Sequence, residues 1–382
     1  MSNAEEILGV VDEFAEKKLR PRASEFESNE ELPYDVIQEI SSYGVLGAKI
    51  PKEYGGLSLD SLDYGRLTEI IGKACNSVRE LLTVHVSLVG ESIKRWGTEE
   101  QKRKWLPEMA KGNLLFSFAL TEPEVGSDAK AVGTSYKQVN DHFILNGHKK
   151  WISFADIADC FLVFASSEGK VSAFIVERSM TGVSTNKMSK LLASNSSHIA
   201  EIHLQDVKVP AENLLGPIGG GWSYVVNTAL DHGRYSIAWA GVAIAQEALE
   251  AMVAYSRRRK QGNKYICEYE AIQTILAEAS VNIKAARSLC QEAGKKRQDR
   301  HTDAVIETTI AKYFASKMAM KVATDAVQVF GGNGFSREYP VERLFREAKV
   351  LEIIEGTSQV LQPIIAQHAL HTCSQKGGLL RI

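Results

Sequence analysis

The residue type and setting best suited to proton chemistry in this sequence is a glutamate among apolar neighbours. In Leu351-Glu-Ile-Ile-Glu-Gly-Thr-Ser-Gln, Glu355 follows Ile353 and Ile354 and precedes Gly356. Apolar company disfavours the charged form of a carboxyl and raises its pKa toward the range that suits a general base. The same spacing also fits a plain helix N-terminal glutamate, favoured by the macrodipole.

Three other segments carry groups that suit a planar or anionic ligand. Phe116-Ser-Phe-Ala-Leu-Thr-Glu-Pro-Glu-Val-Gly-Ser-Asp runs from a strand into a polar turn. There Gly126 permits close backbone approach, and Thr121 and Ser127 offer hydroxyls. An ordinary strand-end turn fits that spacing equally well. Gly147-His-Lys-Lys-Trp-Ile-Ser places a flat indole, Trp151, near a donor, Ser153. A buried core tryptophan is the commoner use of such a residue. Gln328-Val-Phe-Gly-Gly-Asn-Gly sets Gly331 and Gly332 after a long helical run, the pattern of a C-cap.

The elements that must hold these groups fall into three zones. Residues 1–115 have helical periodicity, with Phe14, Lys18 and Leu19, then Val36, Ile37 and Ile40, at helix-like spacings. Residues 116–220 alternate with period two and read as strands that no helix separates, which predicts an antiparallel sheet or small barrel. Asn146-Gly147 between two such runs predicts a hairpin turn, because both central residues of a type I′ turn need positive φ. Residues 221–382 return to helix after Gly219-Gly220-Gly221, with stripes at Ile237, Gly241, Ile244, Ala248, Met252 and at Ile310, Phe314, Met318, Val322, Ala326, Val329. Small residues in these stripes predict close helix packing. The polar, Gly-rich tail from about residue 371 predicts a loose end. The fold class expected is mainly α with a β middle domain.

Composition excludes several functions. The 382 residues carry a net charge of -2, with no acidic or basic excess to seek nucleic acid or a membrane surface. No apolar run reaches the ~20 residues that cross a bilayer, and no leader pattern opens the chain. Five cysteines, widely spaced and without a CxxC pair, fit a reducing compartment, so a cytoplasmic protein is expected. Nine histidines lack metal-ligand spacing, so no metal is expected. GxGxxG after a strand, GxxxxGK[ST], HExxH and GxSxG are all missing.

Leu120-Thr-Glu-Pro-Glu-Val-Gly-Ser-Asp, Gly147-His-Lys-Lys-Trp-Ile-Ser, Gln328-Val-Phe-Gly-Gly-Asn-Gly and Ile354-Glu-Gly-Thr, in this order, resemble the acyl-CoA dehydrogenase family across nearly the whole chain. The resemblance implies an N-terminal helical domain, a β-barrel-like middle domain and a C-terminal four-helix bundle, assembled as a homotetramer or dimer. It implies FAD, with Phe118, Leu120, Thr121, Gly126, Ser127, Trp151, Ser153, Thr357 and Gln359 as contacts. Arg259, Gln328, Gly331 and Gly332 would meet the FAD of a neighbouring subunit; a guanidinium suits its pyrophosphate. Glu355 aligns with the family's base, which takes the proton α to a thioester carbonyl while hydride passes from the β-carbon to flavin N5. The enolate oxygen would be held by a ribityl hydroxyl and the glutamate's backbone N–H. Ser127, Asp231 and Arg234 would lie on the substrate side. A protein acceptor or oxygen would take the electrons.

The sequence departs from the family pattern in places. Gly262-Asn263 replaces a Phe-Gly pair after Arg259, and Glu270 replaces a glutamine; both touch the inter-subunit FAD contact. Gly233 stands where some branched-chain members carry their base. Lys190-Leu-Leu-Ala-Ser-Asn-Ser-Ser-His lacks a common arginine. Asp231-His-Gly-Arg-Tyr-Ser-Ile-Ala-Trp-Ala-Gly and Ala366-Gln-His-Ala-Leu look like the members that make hydroxy-, methoxy- or aminomalonyl extender units for polyketides on an acyl carrier protein. A short- or branched-chain acyl-CoA dehydrogenase is the alternative, and a non-catalytic flavoprotein or assembly subunit is the reading from another class.

Overall fold

The computed structural model of the protein describes residues 3–375, which form two compact units divided between Gly233 and Arg234. The first opens with helices α1 (Asn3–Phe14), α2 (Ala23–Asn29), α3 (Tyr34–Ser42), α4 (Ser61–Ala74), α5 (Asn76–Leu82), α6 (Glu91–Trp96) and α7 (Glu99–Lys111). Their boundaries follow from local chemistry. The Asp60 side chain caps α4 by accepting from Asp63 N at 2.9 Å, and Thr98 with Gln101 forms a capping box on α7. Val36, Ile37 and Ile40 of α3 are buried as their spacing predicts.

Eight strands follow: β1 (Phe116–Ala119), β2 (Ser135–Val139), β3 (His142–Ile152), β4 (Cys160–Ser167), β5 (Lys170–Glu177), β6 (Val183–Lys187), β7 (Ala200–Pro210) and β8 (Leu214–Leu215). They form one sheet in the order β6-β7-β3-β2-β4-β5-β8, with β1 added beside β4. Pairing is antiparallel except where β1 and β2 meet β4 in parallel, which the alternation alone did not reveal. The hairpin expected at Asn146-Gly147 is not there: both residues lie inside β3. The turn is Asn140-Asp141, with Asn140 at φ 51°. Asn146-Gly147 marks an irregularity in the β3–β7 pairing instead. A Cβ on Gly147 would lie 2.3 Å from Thr134 Oγ1, so the glycine admits a neighbour rather than turning the chain.

Helix α8 (Asn227–Ser256) runs across the division between units. With the preceding turn it makes a 36-residue helix, Gly221–Ser256, that is long and apolar enough by composition to cross a membrane, although no such run was expected from the sequence. Of its most apolar window 67% is buried inside the protein, the setting of a core helix. The second unit adds a small hairpin, β9 (Lys260–Gln261) and β10 (Lys264–Tyr265), then α9 (Glu270–Gln298), α10 (Ala304–Phe330), α11 (Val341–Leu351) and α12 (Ser358–Gln375). Ile244, Ala248 and Met252 of α8 and Val322 and Ala326 of α10 are buried. A Cβ on Gly241 would lie 2.6 Å from Ala315 O, so α8 and α10 touch backbone to backbone there. The tail expected to be loose from residue 371 is helical to Gln375, and the rest of it lies outside the described residues.

His85 ties the helical part of the first unit to the strand that carries Phe118. Phe116 N donates to its Nδ1 at 3.2 Å, so its Nε2 carries the proton and donates to Met109 O at 3.1 Å. Complete burial lowers its pKa to about 4, against the bond to Met109, and the ring stays neutral in the fold. Below pH 6.5 the unfolded chain binds a proton that the fold refuses. Stability therefore falls with acid, and His85 contributes about 2 kcal/mol of the loss between pH 7 and pH 5. Urea midpoints at the two pH values should differ less in His85→Gln than in the wild type; an equal difference would remove His85 from the account.

Candidate active site

In the first unit, backbone pairing sets the polar turn after β1 beside the end of β3. Lys150 N donates to Thr121 O at 3.0 Å, which makes Thr121 and Trp151 neighbours. Ser117 Oγ donates to Ser153 O at 2.9 Å. Phe118, Leu120, Thr121, Trp151 and Ser153 thus converge, while Gly126 and Ser127 sit on the exposed part of the turn. Trp151 is not a core residue: its side chain is 52% exposed and its backbone sits at φ 63°. A non-glycine residue there is uncommon, and here it presents an indole face outward. The Ser153 hydroxyl donates to Glu80 Oε1 at 2.6 Å rather than outward, so a ligand meets its lone pairs and backbone amide.

A buried ion pair holds this corner. Lys149 Nζ donates to Glu122 Oε1 at 2.7 Å and to Leu120 O at 3.1 Å, and Glu122 also accepts from Gly133 N and Thr134 N. Burial acts to raise the Glu122 carboxyl, and the Lys149 ammonium outweighs it and holds the pKa low. Burial pulls Lys149 down to about 8, which leaves it charged at pH 7. Both residues lie inside the quoted motifs, but their pairing across 27 positions was not legible.

In the second unit Glu355 occupies the link between α11 and α12. It sits at φ 55° and Gly356 at φ 93°. Its Oε2 is closed to solvent. Arg234 Nε donates to Glu355 O at 3.0 Å, and Lys312 Nζ donates to Gly356 O at 2.7 Å. The apolar company expected is only partly present, since Ile353 is 54% exposed. Arg234, expected on the substrate side, braces the turn through that bond. Asp231 lies on α8 three residues before it, with Gly233 between them. Thr357 Oγ1 accepts from Val360 N at 3.3 Å and caps α12, and Gln359 is exposed in its first turn. Lys312 had no sequence signal: it reads as an ordinary polar residue inside α10.

A second group gathers elsewhere in that unit. Tyr255 stacks on Phe330 at 4.0 Å, and Asn333 Nδ2 donates to Tyr255 Oη at 3.0 Å. These contacts draw the end of α8, with exposed Arg259, toward exposed Gln328, Gly331 and Gly332. Gly262-Asn263 forms the β9–β10 turn, with Gly262 at φ 60°. A Cβ at Gly126, Gly331 or Gly332 would meet no atom within 4 Å. Each unit taken by itself thus has open glycine backbone that a ligand can approach, near an outward indole in the first and near an exposed guanidinium, suited to a pyrophosphate, in the second. Histidines expected to lie apart do meet in one place: His148, Glu201 and His203 offer ligand atoms within 4.8 Å of one another. Lys150 Nζ already holds Glu201 at 2.9 Å, and Asn186 Nδ2 lies 3.3 Å from His203 Nε2.

Residues 2–113 match the acyl-CoA dehydrogenase N-terminal domain, residues 117–207 the middle domain and residues 219–370 the C-terminal domain. The chain belongs to the acyl-CoA dehydrogenase family, oxidoreductases that act on CH–CH groups, and its cofactor is FAD. It is 36% identical over 362 residues to a short-chain specific acyl-CoA dehydrogenase of Clostridium acetobutylicum, covering 94% of this chain and 95% of that one. The structure of butyryl-CoA dehydrogenase from Megasphaera elsdenii superposes with a TM-score of 0.93 at 36% identity, covering 97% and 98% of the two chains. FkbI, described as serving biosynthesis of a methoxymalonyl extender unit, superposes with a TM-score of 0.87 at 30% identity, covering 95% and 99%.

Proposed function

We propose that the protein oxidises the α,β carbon–carbon bond of a short acyl-CoA, with Glu355 as the base. The observation that carries this reading is the Glu355–Gly356 turn. A non-glycine residue in the left-handed region is costly, and such strain gathers at active sites. Here the turn carries the Glu355 carboxylate, one oxygen closed to solvent, the residue that the sequence resemblance aligns with the family's base. FAD, when bound, supplies the two-electron acceptor. Glu355 removes the α-proton, and its backbone N–H offers a donor to the thioester oxygen as negative charge develops there. Trp151, Thr121 and Leu120 orient the ring system, and Thr357 and Gln359 are further flavin contacts that the family resemblance implies. Arg259, Gln328, Gly331 and Gly332 serve the FAD of another copy in a dimer or tetramer. A protein acceptor or oxygen takes the electrons away. Free Cys160 and Cys267 suit the cytoplasm.

The short-chain reading draws on the Clostridium and Megasphaera relatives. A second reading, an acyl group on a carrier protein, draws on the Asp231–Gly241 segment and the likeness to FkbI. One experiment separates them. Purified enzyme under anaerobic conditions is offered butyryl-CoA, branched acyl-CoAs and a glyceryl-type carrier-protein thioester. Bleaching of the flavin by butyryl-CoA at low concentration is expected; bleaching by the carrier-protein thioester alone would transfer the assignment to the second reading.

A further inference from the structure

Lys312 is an ammonium in the wrong solvent. Its side chain is fully buried within α10, where apolar residues of similar volume would pack at least as well. A desolvated charge that faces a neutral carbonyl does not recommend itself as a stabilising device. Its hydrogen bond goes to Gly356 O at 2.7 Å, in the left-handed turn that presents Glu355. Arg234 Nε holds the preceding carbonyl, that of Glu355, at 3.0 Å. Two cations from two helices therefore grip two successive carbonyls of one strained turn. Such a turn persists only where its surroundings over-determine it.

From this geometry we infer that Lys312 is a positioning residue of the reaction: it locks the Glu355–Gly356 turn and supplies the charge beside which the Glu355 carboxylate works. The inference rests on the reading of Glu355 as the base. Burial lowers the Lys312 pKa to about 8, Glu355 and Glu352 act to raise it and Arg234 to lower it. These are the charged groups whose fields reach Lys312, and the field between Lys312 and Glu355 is reciprocal. A cation near a carboxylate favours its ionised form, so loss of the cation moves proton uptake by Glu355 to higher pH. At the other end, Lys312 gives up its own charge as pH rises through about 8. Exchange at the α-carbon should then decline on the alkaline side as well.

The test uses the FAD-loaded enzyme and measures uptake of solvent deuterium into the methyl group of acetyl-CoA by NMR. Acetyl-CoA has no β-carbon, so the assay reads the base alone. Lys312→Met is expected to slow exchange by about tenfold to a hundredfold, the scale of a misplaced reacting group. Its acid limb should rise by about one pH unit. Thermal melting is recorded on the same preparations, so that loss of the lock on the turn is told apart from loss of the fold. Lys312→Arg should return the acid limb to its wild-type place and remove the alkaline decline. If Lys312→Met does not fold, Lys312→Gln, a neutral donor, carries the test and should show the raised limb. Exchange with an unmoved acid limb in the neutral variants, or a loss that tracks melting and that Lys312→Arg does not correct, would overturn the inference. Glu355→Gln runs beside them: exchange that survives in that variant overturns the base assignment instead.

Discussion

Glu355→Gln should keep its fold and its FAD and lose turnover by roughly 10³–10⁴-fold, near the upper end of what a positioned base contributes. The substitution is nearly isosteric, so the left-handed turn at φ 55° and its grip by Arg234 and Lys312 through main-chain carbonyls survive. What is lost is the capacity to accept a proton. A neutral amide also leaves Lys312 without the counter-charge that acts to raise its pKa, so the lysine should shed its proton more readily. Glu355→Asp keeps the carboxylate but withdraws it by one methylene; a loss of about 10² is expected from misplacement alone. Gly233 offers no substitute base on α8. The check is anaerobic stopped-flow bleaching of the flavin by butyryl-CoA, with the bound flavin counted by its absorbance. Wild-type bleaching in Glu355→Gln would mean that another group takes the proton.

What could be read in the sequence, and what could not, divides along a physical line. The order of helical, sheet and helical parts was legible because periodicity is local: Val36, Ile37 and Ile40 announce a buried helix face within five residues. Glu355 and Trp151 can be singled out because a motif of a few residues carries each. The relations between motifs were not. Asn146-Gly147 has the chemistry of a turn, but its fate is decided by Thr134, which must pass within a Cβ of Gly147. The actual turn at Asn140-Asp141 is shorter in signal and stronger in context. Lys312 meets Gly356 across 44 positions, and a lone lysine in an apolar stripe reads as a side chain that reaches out to water. His148 meets His203 only through the β3–β7 register. The 36-residue apolar helix contains no long unbroken apolar run, because scattered polar residues interrupt it while its mean hydropathy stays high.

The largest stability effect should come from Glu122→Ala. It leaves the Lys149 ammonium, which has no solvent access, without its carboxylate, and it strips acceptors from Gly133 N and Thr134 N. Breaking a buried pair by removing one partner costs about 3–5 kcal/mol, mostly the penalty of the charge left behind. Lys149 can respond by losing its proton, since burial already holds its pKa at about 8. That response makes the loss depend on pH. A neutral lysine is tolerated where a charged one is not, so the deficit should shrink as pH rises from 7 to 9. A double variant, Glu122→Ala with Lys149→Met, should recover most of the stability, because no charge remains to be desolvated. It should not recover FAD affinity. Lys149 Nζ also fixes Leu120 O at 3.1 Å, and Lys150 N holds Thr121 O, so the strand end proposed to meet the flavin hangs on this corner. Urea midpoints and bound FAD measured on the same preparations separate the two roles. Recovery of both together in the double variant would show that the pair serves the fold alone.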